Sequence, residues 1–351
     1  MKAWAVVKNG VPLELIEIPE REPVGTEVVI AVSHCGVCHS ELHFWKGQYN
    51  MGGGKVMNLA ERGVLLPRAP GHEVAGRVIK VGPEATGVAI GDHRVVFPWL
   101  GCGQCERCLN GDDNLCDKSN SIGVMQDGGF GEQVVVPHSR FLVDIGDLDP
   151  ALAATLACSG ITVYSAIKKI MPLAPSEPVV LIGAGGLGLS AIAMVLALGH
   201  RNIVSVDISA EKRAAAMAMG ATQTVDGAHP DVATLLLQAA GRPIKAAIDF
   251  VNISSTALLG FECLAKAGKL ILVGVAGGEL VISLASMVFK PRTVQGSMTG
   301  NPQDLRDVVA LARAGKLKAI PLTILPKDKA NEALTMLHKG QVSGRIILAA
   351  A

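Results

Sequence analysis

The sequence contains few aromatic residues and almost no net charge. Phe, Trp and Tyr make up only 3% of the 351 residues, and 32 Lys and Arg oppose 31 Asp and Glu, which leaves a net charge of +1. Proteins that hold nucleic acids or anionic membranes by charge need a basic face or stripe, so we expect neither as a partner. Hydrophobic residues at 49% against charged residues at 18% provide enough apolar surface for packed cores and exclude a disordered chain.

The sequence also lacks a recognisable targeting segment and an unbroken membrane span. The apolar run in the first ten residues is too short for a signal peptide and predicts a β-strand followed by a turn at Asn9 and Gly10. The uncharged stretch 178–200 is long enough to cross a bilayer, but it divides into a β-branched run, a glycine cluster and a helical pattern. We therefore expect a cytoplasmic protein whose eight cysteines are metal ligands or reduced thiols rather than disulfides.

Two domains are expected, because single hydrophobic cores rarely grow beyond roughly 250–300 residues. The first 150 residues carry short β-type runs separated by Gly, Pro and Asp, at 27–32, 71–81, 93–98 and 133–137. A helical segment follows at 151–170, and from residue 178 strands and helices alternate. The expected strands are 178–182, 203–206, 246–250 and 269–273, and the expected helices are 187–198, 210–219 and 255–264.

This alternation predicts a doubly wound parallel sheet covered by helices, joined to a β-rich domain, so the fold class is α/β plus β. We expect the α/β domain to occupy 159–296. The β-rich domain would then combine 1–158 with 297–351, which ends in a strand at 344–348.

A glycine-rich motif lies where the α/β domain begins. Residues 183–188 read Gly-Ala-Gly-Gly-Leu-Gly between an apolar strand and an amphipathic helix, the context that dinucleotide binding requires. Gly183 permits the tight turn, Gly185 lets the backbone approach a pyrophosphate, and Gly188 allows helix and strand to pack closely. Asp207 can accept hydrogen bonds from ribose hydroxyls and repel a 2′-phosphate, which predicts NAD rather than NADP. A glycine-rich turn with a helix-capping Asp is the alternative interpretation.

Four of the cysteines are clustered in one loop, 101–117. Cys102, Cys105, Cys108 and Cys116 follow a C-x2-C-x2-C-x7-C spacing, and four thiolates so close together can surround one tetrahedral Zn²⁺ and leave no open position. Such a closed site is structural. An iron–sulfur cluster also uses four thiolates, and four free thiols clustered by chance form the third possibility.

A second set of candidate metal ligands is dispersed along the chain: Cys38, His72 and Cys158. Two thiolates and one imidazole make the donor set of a catalytic zinc, whose fourth position is open to water or substrate. Each residue alone is ambiguous, since a single Cys is usually a small buried hydrophobe. Their value comes from occurring together with the four-cysteine loop and the glycine motif. Cys35 and Cys263 are then expected to be buried thiols.

These motifs, in this order along the chain, resemble the zinc-dependent medium-chain alcohol dehydrogenases of the medium-chain dehydrogenase/reductase superfamily. The resemblance covers essentially the whole chain. It implies a GroES-like catalytic domain, a Rossmann cofactor domain, a structural zinc and a catalytic zinc in the cleft between the domains. It also implies a homodimer or homotetramer that oxidises alcohols to aldehydes or ketones, and reverses the reaction, by hydride transfer at nicotinamide C4.

The resemblance assigns further roles. Glu73 matches a carboxylate that can approach the metal, and Glu41 stands where the family has Asp, which orients the zinc-bound His. Ser40 matches the hydroxyl that contacts the substrate oxygen, and His43 matches the base that passes its proton to solvent. The implied cofactor contacts are His39, Thr162, Gly183, Gly185, Gly186, Leu187, Gly188, Asp207, Lys212, Val273 and Arg345. The implied walls of the substrate pocket are Trp45, Tyr49 and Trp99, for which ordinary apolar packing is the alternative.

One segment departs from the compact members of this family. Between His43 and Gly71 lie 27 residues, including the glycine run 52–54, and the position of this segment after the relay His predicts that 50–63 shapes substrate choice.

Rival interpretations of the whole chain are a polyol or amino-alcohol dehydrogenase, a zinc-free quinone or enoyl reductase, and a non-catalytic NADH-binding structural or sensor protein. Cys158 argues against the first. The presence of Cys38, His72 and Cys158 together argues against the second, and the presence of Ser40 and His43 argues against the third.

Overall fold

The computed structural model describes residues 1–350, and its character changes near residue 150. The first part consists mainly of strands with two short helices, α1 (His39–Lys46) and α2 (Glu106–Leu109). Its strands are β1 (Lys2–Ala5), β2 (Glu14–Glu17), β3 (Val28–Val37), β4 (Gln48–Gly52), β5 (Lys55–Asn58), β6 (Glu73–Val81), β7 (His93–Val96), β8 (Trp99–Leu100), β9 (Asn120–Ser121), β10 (Gln133–Val136) and β11 (Leu142–Asp144).

In the second part strands and helices alternate. The strands are β12 (Val179–Ile182), β13 (Ile203–Asp207), β14 (Gln223–Asp226), β15 (Ile244–Asp249), β16 (Leu264–Leu272), β17 (Thr293–Gly296), β18 (Leu322–Pro326) and β19 (Arg345–Ala349). The helices are α3 (Pro150–Thr155), α4 (Ile161–Ile170), α5 (Gly186–Ala197), α6 (Ala210–Met219), α7 (Val232–Ala240), α8 (Ser254–Cys263), α9 (Leu284–Phe289), α10 (Pro302–Arg313) and α11 (Ala330–His338).

The larger sheet has seven strands and belongs to both ends of the chain. Its order is β11-β7-β6-β3-β19-β18, and β10 also pairs with β3. β19 lies antiparallel to β3, with Leu348 opposite Cys35. The last strands therefore return to the sheet that the first part builds.

The second sheet has six strands in the order β14-β13-β12-β15-β16-β17, and all its neighbouring strands are parallel. The predicted parallel sheet is thus confirmed. β12 is buried along its whole length, as expected for a β-branched run with helices on both faces. Strand order reverses between β12 and β15, and ligands of such sheets bind beyond the carboxyl ends of the strands at that point.

The helical segment expected at 151–170 is interrupted. A π-helical turn, Leu156–Gly160, lies between α3 and α4, and such turns are frequent at functional sites. The stretch Pro150–Ile170 is long and apolar enough to cross a membrane, but 83% of its most apolar window is buried inside the protein. It is a core element, and α4 packs against both α5 and α10.

Candidate active site

Three distant parts of the chain bring their side chains to one buried point. Cys38 precedes α1, His72 precedes β6 and Cys158 lies in the π-helical turn. Candidate ligand atoms of these three residues and of Glu73 all lie within 4.8 Å of one another. Cys158 and His72 are buried, with exposures of 7% and 5%. The structure thus brings together the three predicted ligands and adds a carboxylate oxygen to them.

Glu41 links two of these residues. One carboxylate oxygen accepts a hydrogen bond from His72 Nδ1 at 2.6 Å, and the other accepts from the backbone N–H of Cys38 at 2.7 Å. The Nδ1 bond leaves His72 Nε2 directed at the cluster, where it has no hydrogen-bond partner among the described residues. Such a carboxylate–histidine pair orients a metal-binding imidazole. Glu41 therefore makes both contacts with the extra methylene that distinguishes it from Asp.

The donor set suits Zn²⁺. Two sulfurs and one imidazole nitrogen form the Cys2His arrangement of zinc sites that keep one open position. The neighbouring Cys158 thiol lowers the pKa of the Cys38 thiol well below its usual range, which favours the thiolate form that zinc binds. The Cys158 thiol has a raised pKa and would release its proton when a metal binds. His72 Nε2, which has no hydrogen-bond partner among the described residues, is free to serve as the third ligand atom.

Glu73 and Arg345 form a buried ion pair beside this cluster. Both side chains are at most 5% exposed, and Arg345 Nη2 donates to Glu73 Oε1. Burial raises the pKa of Glu73 to about 7, because a low-dielectric site disfavours the carboxylate. The other end of Arg345 lies against the glycine motif, since a Cβ at Gly186 would come within 2.5 Å of Arg345 Cδ. One side chain therefore spans from the metal cluster to the cofactor loop.

The four clustered cysteines also converge. Their sulfurs lie within 4.8 Å of one another, and the pairs Cys105–Cys108, Cys105–Cys116 and Cys102–Cys108 are 3.5, 3.8 and 4.0 Å apart. Four thiolates around one Zn²⁺ at about 2.3 Å have edges of roughly 3.8 Å. Disulfides would need about 2.05 Å, and the sulfurs enclose no room for a multi-iron cluster. Hydrogen bonds from the backbone N–H groups of Gln104 and Cys105 lower the pKa of Cys102 to about 6.

Ion pairing and hydrogen bonds fix this loop to the rest of the molecule. The buried carboxylate of Asp113 accepts two hydrogen bonds from the Arg140 guanidinium, at 2.7 and 2.9 Å. Asn114 Nδ2 donates to the carbonyl of Met298 at 2.8 Å, so the loop also contacts the segment that follows β17. Neither Asp113 nor Arg140 was identified from the sequence, where they lie 27 positions apart with no motif connecting them.

The glycine motif forms an open cradle at the start of α5. Gly183 has a φ of +94°, and a Cβ there would lie 2.8 Å from a methyl of Val251. A Cβ at Gly188 would lie 2.0 Å from the carbonyl oxygen of Gly183, whereas one at Gly185 would meet nothing within 4 Å. No side chain caps the first N–H groups of α5, so they remain free for an anion. This geometry fits a pyrophosphate lying over Gly185.

Asp207 ends β13 next to this cradle. Its carboxylate accepts hydrogen bonds from the backbone N–H of Ala184 at 2.8 Å and of Ser209 at 2.9 Å. Each oxygen keeps a further lone pair for a ribose hydroxyl. Lys212 lies in the first turn of α6, where Ser209 accepts from its backbone N–H. The carboxylate is thus held in place by the same loop that would hold the pyrophosphate.

The predicted relay residues lie on α1, one turn apart. Ser40 Oγ is 3.8 Å from Cys38 Sγ, which puts its hydroxyl at the edge of the metal cluster. His43 is half-buried, and its imidazole stacks on the ring of Tyr49 with centroids 4.5 Å apart and an angle of 19° between the planes. His39, at the start of the same helix, is exposed. The stack between His43 and Tyr49 had no signal in the sequence.

The remaining predicted residues divide into two groups. Trp99 lies 5.7 Å from the His72 ring, and Thr162 is buried with a hydroxyl that has no partner among the described residues. Val273 follows β16 at the carboxyl edge of the parallel sheet. Trp45 does not join them, because its indole N–H donates to the carbonyl of Val11 at 2.6 Å. Two residues beyond His43, it lies on the other side of α1, since each helical residue turns by about 100°.

Comparison with known proteins agrees with this arrangement. Residues 25–147 match the alcohol dehydrogenase GroES-like domain, and residues 186–314 match the zinc-binding dehydrogenase domain. The NAD-dependent alcohol dehydrogenase of Sulfurisphaera tokodaii is 36% identical over 350 residues, which cover 99% of each chain. The crystal structure of the Aeropyrum pernix alcohol dehydrogenase has 29% identity and a TM-score of 0.90 over 99% of this chain and 100% of that one. The D-arabinose dehydrogenase of Sulfolobus solfataricus has 30% identity and a TM-score of 0.82 over 99% and 98% of the two chains.

Proposed function

Because this chain belongs to the zinc-dependent medium-chain alcohol dehydrogenase family, we propose that it is an NAD-dependent dehydrogenase that interconverts alcohols with aldehydes or ketones. The observation that carries this proposal is the juxtaposition of the buried Cys38, His72 and Cys158 cluster with the open glycine cradle, joined by Arg345. The test is a screen for NADH formation with primary, secondary, aromatic and diol substrates. Absence of NADH formation with every alcohol would reject the proposal.

We assign the groups that hold each cofactor as follows. Cys38, His72 and Cys158 would hold one zinc ion and the four-cysteine loop a second, giving two per chain. The backbone of residues 183–188 would hold the pyrophosphate of NAD, with Asp207 on the ribose and with Arg345, His39, Lys212, Thr162 and Val273 completing the site. When bound, zinc supplies a Lewis acid that acidifies the alcohol hydroxyl, and NAD supplies the hydride acceptor.

The protein's own side chains move the proton and exclude water. Ser40 contacts the substrate hydroxyl and accepts its proton as it gives up its own, and His43 takes up a proton from this relay and releases one to solvent. Glu41 fixes the tautomer of His72 by accepting from its Nδ1. Glu73, held by Arg345, is a carboxylate that can approach the cluster. Trp99 would form part of the pocket wall beside His72.

The pH dependence of alcohol oxidation provides one prediction. Burial lowers the pKa of His43 from its usual 6.5, and the nearby cations of His39 and Lys46 lower it further, against the opposing charge of Cys38. His43 accepts a proton only when neutral, so kcat/KM should fall with decreasing pH through a pKa below 6.5 and stay level above it. In His43→Gln we expect kcat/KM to be lower by about a hundredfold and to be independent of pH in this range. An identical profile in the variant would remove His43 from the relay.

Cofactor preference provides a second prediction. Asp207→Ser removes the charge that repels a 2′-phosphate and the acceptor for the ribose hydroxyls. We expect KM for NAD to rise and kcat/KM with NADP to rise. The ratio of kcat/KM with NADP to kcat/KM with NAD should increase by about a hundredfold, because one charged contact with the ribose is lost and one charge repulsion is relieved. Steady-state kinetics with both cofactors measure it. A wild-type enzyme that prefers NADP would contradict the role given to Asp207.

The exposed edge of the parallel sheet supports a homodimer or homotetramer. β17 is the last strand of that sheet, and the adjoining segment exposes Val281, Leu284, Val288 and Phe289 by 74–86%. Apolar patches of this kind mark interaction surfaces. We expect Val281→Glu with Phe289→Glu to lower the mass measured by light scattering toward the 36.4 kDa of one chain. Leu65→Glu, at an exposed leucine outside the patch, is the control and should leave the mass unchanged.

The domain boundaries and location are proposed as well. We place the catalytic domain at 1–158 and 297–351 and the cofactor domain at 159–296, supported by the pairing of β19 with β3, and we place the protein in the cytoplasm. The second candidate is still a polyol or amino-alcohol dehydrogenase, and the similarity to D-arabinose dehydrogenase adds a sugar to the substrates that it would take. Including D-arabinose, with NAD and with NADP, in the substrate screen separates the two candidates.

A further inference from the structure

The hairpin of β4 and β5 lies within the segment that departs from the compact family members, and it carries Tyr49. β4 pairs antiparallel with β5, with Tyr49 opposite Met57. α1 ends at Lys46 and is capped by Gly47, whose φ of 76° turns the chain back. This reversal returns Tyr49 to the imidazole of His43, on the helix that the chain has just left.

The tip of the hairpin contacts the cofactor domain. A Cβ at Gly52 would lie 2.4 Å from the carbonyl oxygen of Gly278, and a Cβ at Gly277 would lie 2.5 Å from the carbonyl oxygen of Asn50. The two backbones are therefore in direct contact, with no room for a methyl group on either side. Gly277 and Gly278 follow β16 and Val273, on the cofactor side of the cleft. The hairpin thus bridges from α1 to the opposite domain.

The Tyr49 ring faces the relay. It is stacked on His43 with centroids 4.5 Å apart, and Ser40 is among the groups close enough to the phenol to influence its pKa. Burial, together with the charges of Cys38 and Glu41, raises the pKa of the phenol, so it remains a neutral hydrogen-bonding group. A half-buried aromatic pair favours its stacked arrangement by a factor of up to roughly ten.

We propose that Tyr49 is a positioning residue for the proton relay, whose ring holds the His43 imidazole beside Ser40, and that the contact of the hairpin tip with Gly277 and Gly278 fixes the ring there. This inference rests on the proposed dehydrogenase function of the same site. It gives the segment a part in proton transfer, in addition to the predicted part in substrate choice. It also connects the relay to the contact between the two domains.

The first test reads the imidazole directly, without turnover. In protein with labelled histidine, we expect ring current from Tyr49 to shift the His43 side-chain NMR signals upfield, because the two rings are stacked. We expect Tyr49→Ala to remove this shift and Tyr49→Phe, which keeps the ring, to restore it. An unchanged His43 signal in Tyr49→Ala would overturn the proposal. Because no substrate or cofactor is needed, this result stands or falls separately from the proposed function.

The second test distinguishes the contact of the hairpin tip with Gly278 from backbone strain at the substituted glycine. Gly52 and Gly54 both have left-handed φ angles, +81° and +73°, but only a Cβ at Gly52 meets the Gly278 carbonyl, whereas one at Gly54 meets nothing within 4 Å. Gly52→Ala should therefore displace the His43 signals as Tyr49→Ala does, and Gly54→Ala should not. Equal signal changes in both variants would show that strain, rather than the contact across the cleft, controls the imidazole.

The third test shows whether Tyr49 acts through His43. We expect Tyr49→Ala to lower kcat/KM for alcohol oxidation by roughly tenfold in the parent enzyme. In the His43→Gln background the same substitution should have less than a twofold effect, because the group it positions is absent. A similar loss in both backgrounds would mean that Tyr49 only forms the pocket wall and would refute its role in the relay.

Discussion

Cys38→Ser is expected to lower alcohol oxidation by at least about a thousandfold and to reduce bound zinc from two ions per chain to one. The Cys38 sulfur lies within 4.8 Å of the other candidate ligands, and its pKa is lowered by the neighbouring Cys158 thiol. Serine stays protonated and is a poor zinc ligand. Without the ion the hydroxyl of an alcohol keeps a pKa close to that of water, near 15.7 rather than near 7.

A matched cysteine provides the control for this prediction. Cys263 is also buried, but it belongs to neither of the two clusters. Cys263→Ser should retain two zinc ions and most of the activity. If Cys38→Ser kept substantial turnover, or if it lost no zinc by elemental analysis, the assignment of Cys38 as a ligand would be rejected.

Cys116→Ser is expected to have the second largest effect, on stability rather than on chemistry. The loop 101–117 contains only one short helix, α2, and one 3-10 turn, so it has no core of its own. Zinc binding in such loops contributes folding free energy directly, about 10–16 kcal/mol in isolated zinc modules. Part of that contribution is lost with one ligand, and we expect Tm to fall on the order of 10 °C.

The control for this variant lies in the same loop. Gln104 is exposed, and only its backbone N–H contacts a cysteine sulfur, so Gln104→Ala should keep both zinc ions and an unchanged Tm. The remaining zinc in Cys116→Ser should be the ion held by Cys38, His72 and Cys158. A variant with wild-type Tm and one zinc fewer would show that the loop folds without its metal.

The features that the sequence predicts well are local ones. Four thiols within fifteen positions, from Cys102 to Cys116, must lie close together in any fold. A glycine motif between a strand and a helix has few interpretations other than a phosphate-binding turn. Short polar strands such as β14 and β17 were missed, because Gln223–Asp226 and Thr293–Gly296 carry too few apolar residues to show a period. The π-helical turn was hidden because apolar residues continue through it without a break.

Contacts between distant residues could not be predicted from the residues alone. Glu73 and Arg345 are separated by 272 positions, and their pairing depends on β19 returning to β3. Cys38, His72 and Cys158 could be grouped only through their donor chemistry and their occurrence with the four-cysteine loop and the glycine motif, since no local spacing connects them. The stacking of Tyr49 on His43 depends on a hairpin whose end is fixed by another domain. Such geometry arises from the packing of whole elements.

Metal dependence of NADH formation tests the central claim most directly. The purified protein would be treated with a chelator until one zinc per chain remains, which we expect to be the ion of the four-cysteine loop because four thiolates surround it. It would then be assayed with alcohol and NAD before and after zinc is restored. We predict that NADH formation is lost with the first ion removed and returns when the content reaches two ions per chain. NADH formation at an undiminished rate in protein that holds one zinc per chain would contradict the account.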